Sequence, residues 1–480
     1  SSSGLFLRIR SARSFAPYMG ALLSEPVAAV VVECQASEHW AASVATTQGW
    51  RRNHEDAHIL CCGASRSGGG AGSSDGVFAV LDGHGGEVAA RISAELLEER
   101  LVKLMRDGGP QLGEKAACER LKSIFIEADA KLLERLPADD RSGTTVVAAL
   151  VIRSRPGQYC VHVAHAGDSR SVLCKGGQLI CSEDHKPGNE VEIRRIRAAG
   201  GTVEAGTLGG GPLRVDGALA TSRALGDFQF KSATLAPENC KVTAMPDVMT
   251  VANCAPGDWL LLACDGIFDV MSNEEVSEFV TPRIRQAGSV KSGAIVRELL
   301  GHVIEKGSKD NCTACLVYFR EGGASQVQAR SQDLIQGPWA QAAPAVQAKY
   351  AEFFEQMGFE KEARLVGPRK QAVKCANPKC PYLKHSNPAN NPTHCCIKCR
   401  DSPVDAEPMH GPRCERKLAP SAQGAAGRGG GGGVAAGGGG GGAAAAPGGG
   451  SFSASERERI SAAVARAMQR RNQGPVGDGK

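Results

Sequence analysis

Short apolar runs that end in an acidic turn recur along the chain: Val77-Phe78-Ala79-Val80-Leu81 before Asp82-Gly83, residues 159–166 before Gly167-Asp168, and residues 259–264 before Asp265-Gly266. Each reads as a buried strand that delivers a carboxylate at its end. A fourth case is reversed, with Asp310-Asn311 preceding the strand-like Cys315-Leu316-Val317-Tyr318-Phe319. Four strands are therefore expected to present acids at one edge. Apolar residues three and four apart, with Gly or Pro near the ends, predict helices over 87–105, 115–136, 190–199 and 292–305. Strands over 142–152 and 159–173, joined by a tight turn, predict antiparallel pairing. A β-sandwich flanked by helices fits this better than a parallel doubly wound sheet. Residues 63–74 read as a flexible loop between strands, and 346–366 as a helical segment packed through Phe353, Phe354 and Phe359.

Composition divides the 480 residues. A hydrophobic content of 42% supports a core, but many of the 60 glycines crowd into residues 429–450, which are not expected to fold. The net charge of +5 is uneven: residues 361–480 hold 19 Lys/Arg against 8 Asp/Glu, leaving the first 360 residues at −6. An acidic body suits a domain that gathers carboxylates around cations. Most of the 18 cysteines before residue 320 sit singly in apolar runs, and no secretory signal precedes them, so a reducing, intracellular setting, cytoplasmic or nuclear, is expected. No run of 18 apolar residues exists, so no membrane-spanning helix is expected. Residues 1–18 begin without Met, and Met19 reads as the biological start. Gly20 would then head an M-G-x-x-x-S pattern, the form that permits myristoylation and weak peripheral membrane contact.

Glu55, Asp56, Asp82, Asp168, Asp265, Asp269 and Asp310 supply hard oxygen donors, and Gly83 allows a backbone carbonyl to approach closely. With no Cys/His set competing among them, Mg²⁺ or Mn²⁺ fits better than Zn²⁺. Two divalent ions about 4 Å apart repel by ~17 kcal/mol at an effective dielectric of about 20, so bridging anions are needed to hold them. Clustered acids meet that need.

The motifs extend this to a family resemblance. Gln48-Gly49-Trp50-Arg51 with His54-Glu55-Asp56-Ala57-His58, Leu81-Asp82-Gly83-His84-Gly85-Gly86, Ser142-Gly143-Thr144-Thr145, Ala166-Gly167-Asp168-Ser169-Arg170 and Ala199-Gly200-Gly201 occur in order. Leu219-Ala220-Thr221-Ser222-Arg223-Ala224-Leu225-Gly226-Asp227, Cys264-Asp265-Gly266-Ile267-Phe268-Asp269-Val270 and Ser308-Lys309-Asp310-Asn311 follow. The series resembles the type 2C (PPM) metal-dependent protein serine/threonine phosphatases. The resemblance implies a four-layer α-β-β-α fold of the α+β class. It implies that Asp82 bridges two ions, Gly83 binds one through its carbonyl, Asp265 and Asp310 bind the other, and Glu55 and Asp56 act directly or through water. Asp168 and Asp269 would help form a third, weaker site. Arg51 would bind the phosphate, and His84 would act as general acid on the departing serine or threonine oxygen. Direct attack by a water activated between the two cations would need no phosphoenzyme and no nucleophilic cysteine. Met245 and His165 depart from the family pattern outside the metal motifs, and a flap-like segment over 186–231 would govern which phosphoproteins enter.

Residues 375–414 hold six cysteines and three histidines. Cys375-x4-Cys380 and Cys396-x2-Cys399 resemble paired thiolate knuckles of a structural zinc site, with His394, Cys395, His410 and Cys414 as further donors. The alternative is a redox-sensitive tail. Residues 455–471 place Ile460, Ala463, Val464, Ala467 and Met468 on one face with five arginines elsewhere, a basic amphipathic helix for an anionic membrane or a partner groove. The expected organisation is an extension over 1–39, a catalytic domain over 40–322 and a connector with helix over 323–374. A Cys/His-rich module over 375–417 that docks a partner follows, then a Gly/Ala-rich linker over 418–454 and the C-terminal helix and tail over 455–480. An active monomer is the leading expectation. The rivals are a catalytically silent scaffold and a nucleic-acid binder, the latter favoured by nothing beyond Lys and Arg content.

Overall fold

The structure, a computed structural model, describes residues 22–62, 75–108, 112–206, 211–286, 292–321 and 327–366. They fall into two units, and the first, which runs to Ala342, contains every strand among the described residues. Its strands begin with β1 (Val30–Ala36), β2 (Trp40–Thr47), β3 (Ala57–Cys62), β4 (Gly76–Leu81) and β5 (Gly83–His84), followed by helices α1 (Val88–Gly108) and α2 (Glu114–Arg135). Next come β6 (Gly143–Thr144), β7 (Val146–Arg155), β8 (Gln158–Ala166), β9 (Arg170–Lys175), β10 (Gln178–Cys181), α3 (Glu190–Ala198), β11 (Val203–Ala205), β12 (Leu213–Val215) and β13 (Leu225–Gly226). The unit closes with β14 (Asp247–Cys254), β15 (Trp259–Ala263), α4 (Asp265–Phe268), α5 (Asn273–Gln286), α6 (Ser292–Glu305), β16 (Cys312–Phe319) and β17 (Gln328–Ile335).

Two antiparallel sheets form the centre, one of seven strands in the order β10-β9-β15-β16-β2-β1-β17 and one of five in the order β14-β8-β7-β4-β3. The alternation of side chains across a strand explains why the sequence shows unbroken apolar runs. In β4, Phe78 and Val80 join the core shared with the seven-stranded sheet, while Val77, Ala79 and Leu81 join Leu96, Leu97, Leu101 and Phe125 of α1 and α2. β7 divides in the same way, with Val147, Ala149 and Val151 on one side and Val146, Ala148 and Leu150 on the other. On its far face the seven-stranded sheet packs against Val276, Val280, Val296 and Leu300 of α5 and α6. Each fully buried residue of this size contributes about 1.5–3 kcal/mol.

The structure corrects several expectations. The expected strand over 159–173 is two strands in different sheets, because at Gly167, with φ of 115°, the chain leaves the five-stranded sheet after β8 and enters the seven-stranded one as β9. β1 and β17, which pair with each other, extend the seven-stranded sheet on both sides of residues 40–322 in the sequence. α5 was not foreseen because Pro282 lies inside it, on the exposed side. Residues 186–231 carry a small core of their own in which Ile196, Val215 and Ala224 pack with Val242.

In the second unit, the expected helix over 346–366 is two helices, α7 (Pro344–Gln356) and α8 (Glu360–Val366), separated at Gly358, where φ is 84°. Phe353 and Phe354 are buried as expected, and Phe359 is half-buried. Gly20, the 63–74 loop, the cysteine-rich module, the Gly/Ala tract and the basic C-terminal helix lie outside the described residues.

Candidate active site

The strand ends deliver the acids where the sequence pattern placed them. Asp82 follows β4, Asp168 follows β8, Asp265 follows β15 as the first residue of α4, Asp310 precedes β16, and Asp56 precedes β3. The Asp82 carbonyl accepts bonds from the Thr145 N–H and the Thr144 hydroxyl, which ties the end of β4 to the start of β7. At Gly83 a Cβ would lie 2.0 Å from the Glu55 carbonyl oxygen, so only glycine allows these two segments to meet.

Burial pushes Asp82 well above the usual carboxylate range, and repulsion from Asp265, Asp56, Asp310 and Asp168 adds to it. Asp265 is raised likewise, by burial and then by Asp168, Asp310 and Asp269. Asp56 is pushed up to about 7, mainly by burial, against a bond from the Thr313 hydroxyl. Burial also raises Asp269 and Glu55. Asp310 is raised by burial even though Arg51 opposes it. These oxygens can be ionised together only if further positive charge joins them. Moreover, Asp56 Oδ1 is buried without a hydrogen-bond partner. A hard divalent cation fits both observations.

Two protein cations adjoin the acids. The Arg51 guanidinium, whose side chain is 41% exposed, donates to Asp310 Oδ2 at 2.5 Å and keeps further N–H groups free of that contact. Lys186 Nζ lies 2.6 Å from Asp168 Oδ2, a partner that the sequence reading did not find. It also missed Asp227, whose Oδ2 stands 2.6 Å from His84 Nε2 across 143 positions of sequence. Burial is the largest influence on His84 and lowers it, but the Asp227 carboxylate, Asp168 and Glu55 together raise it above the ordinary histidine value. The small sheet β13-β6-β5 sets this pair, since β5 carries His84 and Asp227 directly follows β13. Asn311 was missed too: its Nδ2 donates to the Gln48 and Asn53 carbonyls and its Oδ1 accepts from the Glu55 N–H, which pins the loop bearing Arg51 beside Asp310.

A second group of potential metal donors, His165, His185 and Asp247, converges within 4.8 Å, but its hydrogen bonds exclude a metal. His185 Nδ1 accepts the Gly167 N–H, so Nε2 must keep its proton, which it directs toward Asp247. The two rings are also stacked at 8°, so no ion can lie in both planes, and Arg223 already holds Asp247 Oδ1.

The family model described as Protein phosphatase 2C matches residues 40–312. Protein phosphatase 2C homolog 2 of Schizosaccharomyces pombe is 38% identical over 314 residues, spanning 63% of this chain and 80% of that protein. A probable protein phosphatase 2C of Caenorhabditis elegans is 37% identical over 313 residues, 63% of this chain and 81% of that protein. Among solved structures, a phosphatase from Toxoplasma gondii superposes with a TM-score of 0.53 at 25% identity, covering 63% of this chain and 99% of the other.

Proposed function

The chain belongs to the protein phosphatase 2C family, and from that premise we propose that it hydrolyses phosphoserine and phosphothreonine in phosphoproteins with the help of Mg²⁺ or Mn²⁺. The observation that carries this reading is the meeting of Asp56, which is buried, with the half-buried Asp82, Asp265 and Asp310, from separate chain segments, in one patch with more carboxylates than neighbouring cations. Asp82, the Gly83 carbonyl, Asp265 and Asp310 would hold two ions, with Glu55 and Asp56 beside them, and Asp168 and Asp269 would serve a third. Bound there, the ions would supply Lewis acidity toward phosphate oxygens and an acidified water.

The remaining work falls to the chain. Arg51 orients the phosphate through its forked N–H groups, while its bond to Asp310 sets the distance between phosphate and acids. His84 Nε2–H is held by Asp227, so the proton available to a departing serine or threonine oxygen sits on Nδ1. Cys264 and Cys312, the cysteines next to the acids, are fully or almost fully buried, and burial raises both thiols far above neutrality, so neither is a nucleophile. The proposed reaction accordingly passes through no phosphocysteine and is read as direct hydrolysis. A phosphopeptide assay tests the reading: turnover should require Mg²⁺ or Mn²⁺, vanish with EDTA and return with excess Mn²⁺. Turnover indifferent to EDTA would refute it.

A further inference from the structure

Behind Asp56 runs a chain of buried side chains that none of the roles above uses. Thr313 Oγ1 lies 2.6 Å from Asp56 Oδ2, Thr46 Oγ1 lies 2.6 Å from Thr313 Oγ1, and His54 Nε2 lies 2.7 Å from Thr46 Oγ1. None of the four residues is more than 7% exposed. The seven-stranded sheet places the two hydroxyls together, because β16 pairs with β2 in a register that sets Thr313 opposite Thr46. A slip of one residue would turn one of them to the other face.

The direction of every bond follows from its far end. A carboxylate that ligates a cation is ionised and only accepts, so the Thr313 hydroxyl donates to it. Thr313, having given its proton, accepts from Thr46, and Thr46 accepts from His54, which must then carry its proton on Nε2. We infer that His54, Thr46 and Thr313 are positioning residues, a one-way relay of donors that fixes Asp56 Oδ2 and leaves Oδ1 turned toward the cation. The inference rests on the reading of Asp56 as part of a metal centre. Outer groups that orient metal ligands in this way typically control about 10–100-fold in metal affinity.

Calorimetric titration of the full chain with Mn²⁺, without substrate, tests the relay. Thr313→Val, which keeps shape and removes the donor, should weaken Mn²⁺ binding by about 10–100-fold, Thr46→Val should weaken it less, and Thr313→Ser, which restores a hydroxyl, should bind close to wild type. A folded Thr313→Val with wild-type affinity, or a Thr313→Ser as weak as the valine variant, would overturn the relay and leave the metal centre standing. A wild-type chain that binds no Mn²⁺ would overturn both. A second measurement needs no substitution: in the Mg²⁺-loaded chain, nitrogen-15 spectra of the histidine rings should show His54 as the Nε2–H tautomer, and the Nδ1–H tautomer would contradict the relay.

Discussion

Two largely or partly buried polar clusters, one around Glu192 of α3 and one around Asp82 and Asp265, differ in how their charges are matched. Around Glu192, both carboxylate oxygens are taken: Arg223 and Arg195 form ion pairs at 2.8 and 2.5 Å, and the Ser222 hydroxyl donates at 2.6 Å. Although burial works against it, these partners pull Glu192 below the usual glutamate range. Nearby Asp247 is likewise lowered, by its bond from His185 and then, against burial, by Arg223. Around Asp82 and Asp265 the reverse holds, with carboxylates crowded on carboxylates and raised together. A buried charge paired within the chain braces the fold, whereas a buried charge left unpaired waits for something from outside. The contrast separates scaffold from site without reference to any relative.

Removing a charge from each cluster should therefore have opposite consequences. Asp265→Asn should cost at least ~10²-fold in phosphatase turnover, the scale of losing one essential electrostatic contact at a reacting centre. In the absence of metal the same variant should melt at a higher temperature than wild type, because a repulsion has gone. Steady-state assays and thermal melts in EDTA read the two effects. Glu192→Gln should instead destabilise by about 3–5 kcal/mol, since it leaves two buried guanidinium groups short of a partner. Urea denaturation would measure it, and a neutral result would mean that the matched cluster is not a brace.

The matched cluster also carries a pH signature. His165 is held down at about 4 by burial and by the neighbouring His185, against about 6.5 in an unfolded chain. A depressed histidine stabilises the fold fully above about pH 6.5 and loses that contribution as pH falls toward 4, because the unfolded chain then takes up the proton first. Stability of the wild type should thus fall between those limits more steeply than that of His165→Asn, which does not titrate. Parallel slopes in urea titrations across that range would remove His165 from the cluster's energetics. Arg91 and Glu95, an exposed pair on α1 at 3.4 Å, are the contrast outside both clusters. Arg91→Ala should change stability by less than about 0.5 kcal/mol in the same titrations.

What the sequence revealed follows from where the information lies. Strands buried on both faces, such as β4 and β15, leave continuous apolar runs, and the acids at their ends are adjacent in sequence, so Asp82, Asp168, Asp265 and Asp310 were legible. The edge strand β17, with Gln328, Arg330 and Asp333 exposed, has no such run; its place depends on cross-strand bonds such as Arg330 to Glu33 at 2.7 Å. Pairs far apart in sequence were invisible for the same reason. Nothing local in His84 calls for Asp227, and nothing in Thr46 calls for Thr313, although Asp227 ends a motif that could have flagged it. Lys186 and Asn311 act through partners that only the fold supplies.

Anomalous diffraction from crystals of the full chain soaked in Mn²⁺ addresses the contrast most directly. Manganese peaks should appear between Asp82, Asp265 and Asp310, and none at His165, His185 and Asp247. A peak on the histidines, or an acidic edge without metal at saturating Mn²⁺, would contradict the assignment of unpaired buried charge to the catalytic site.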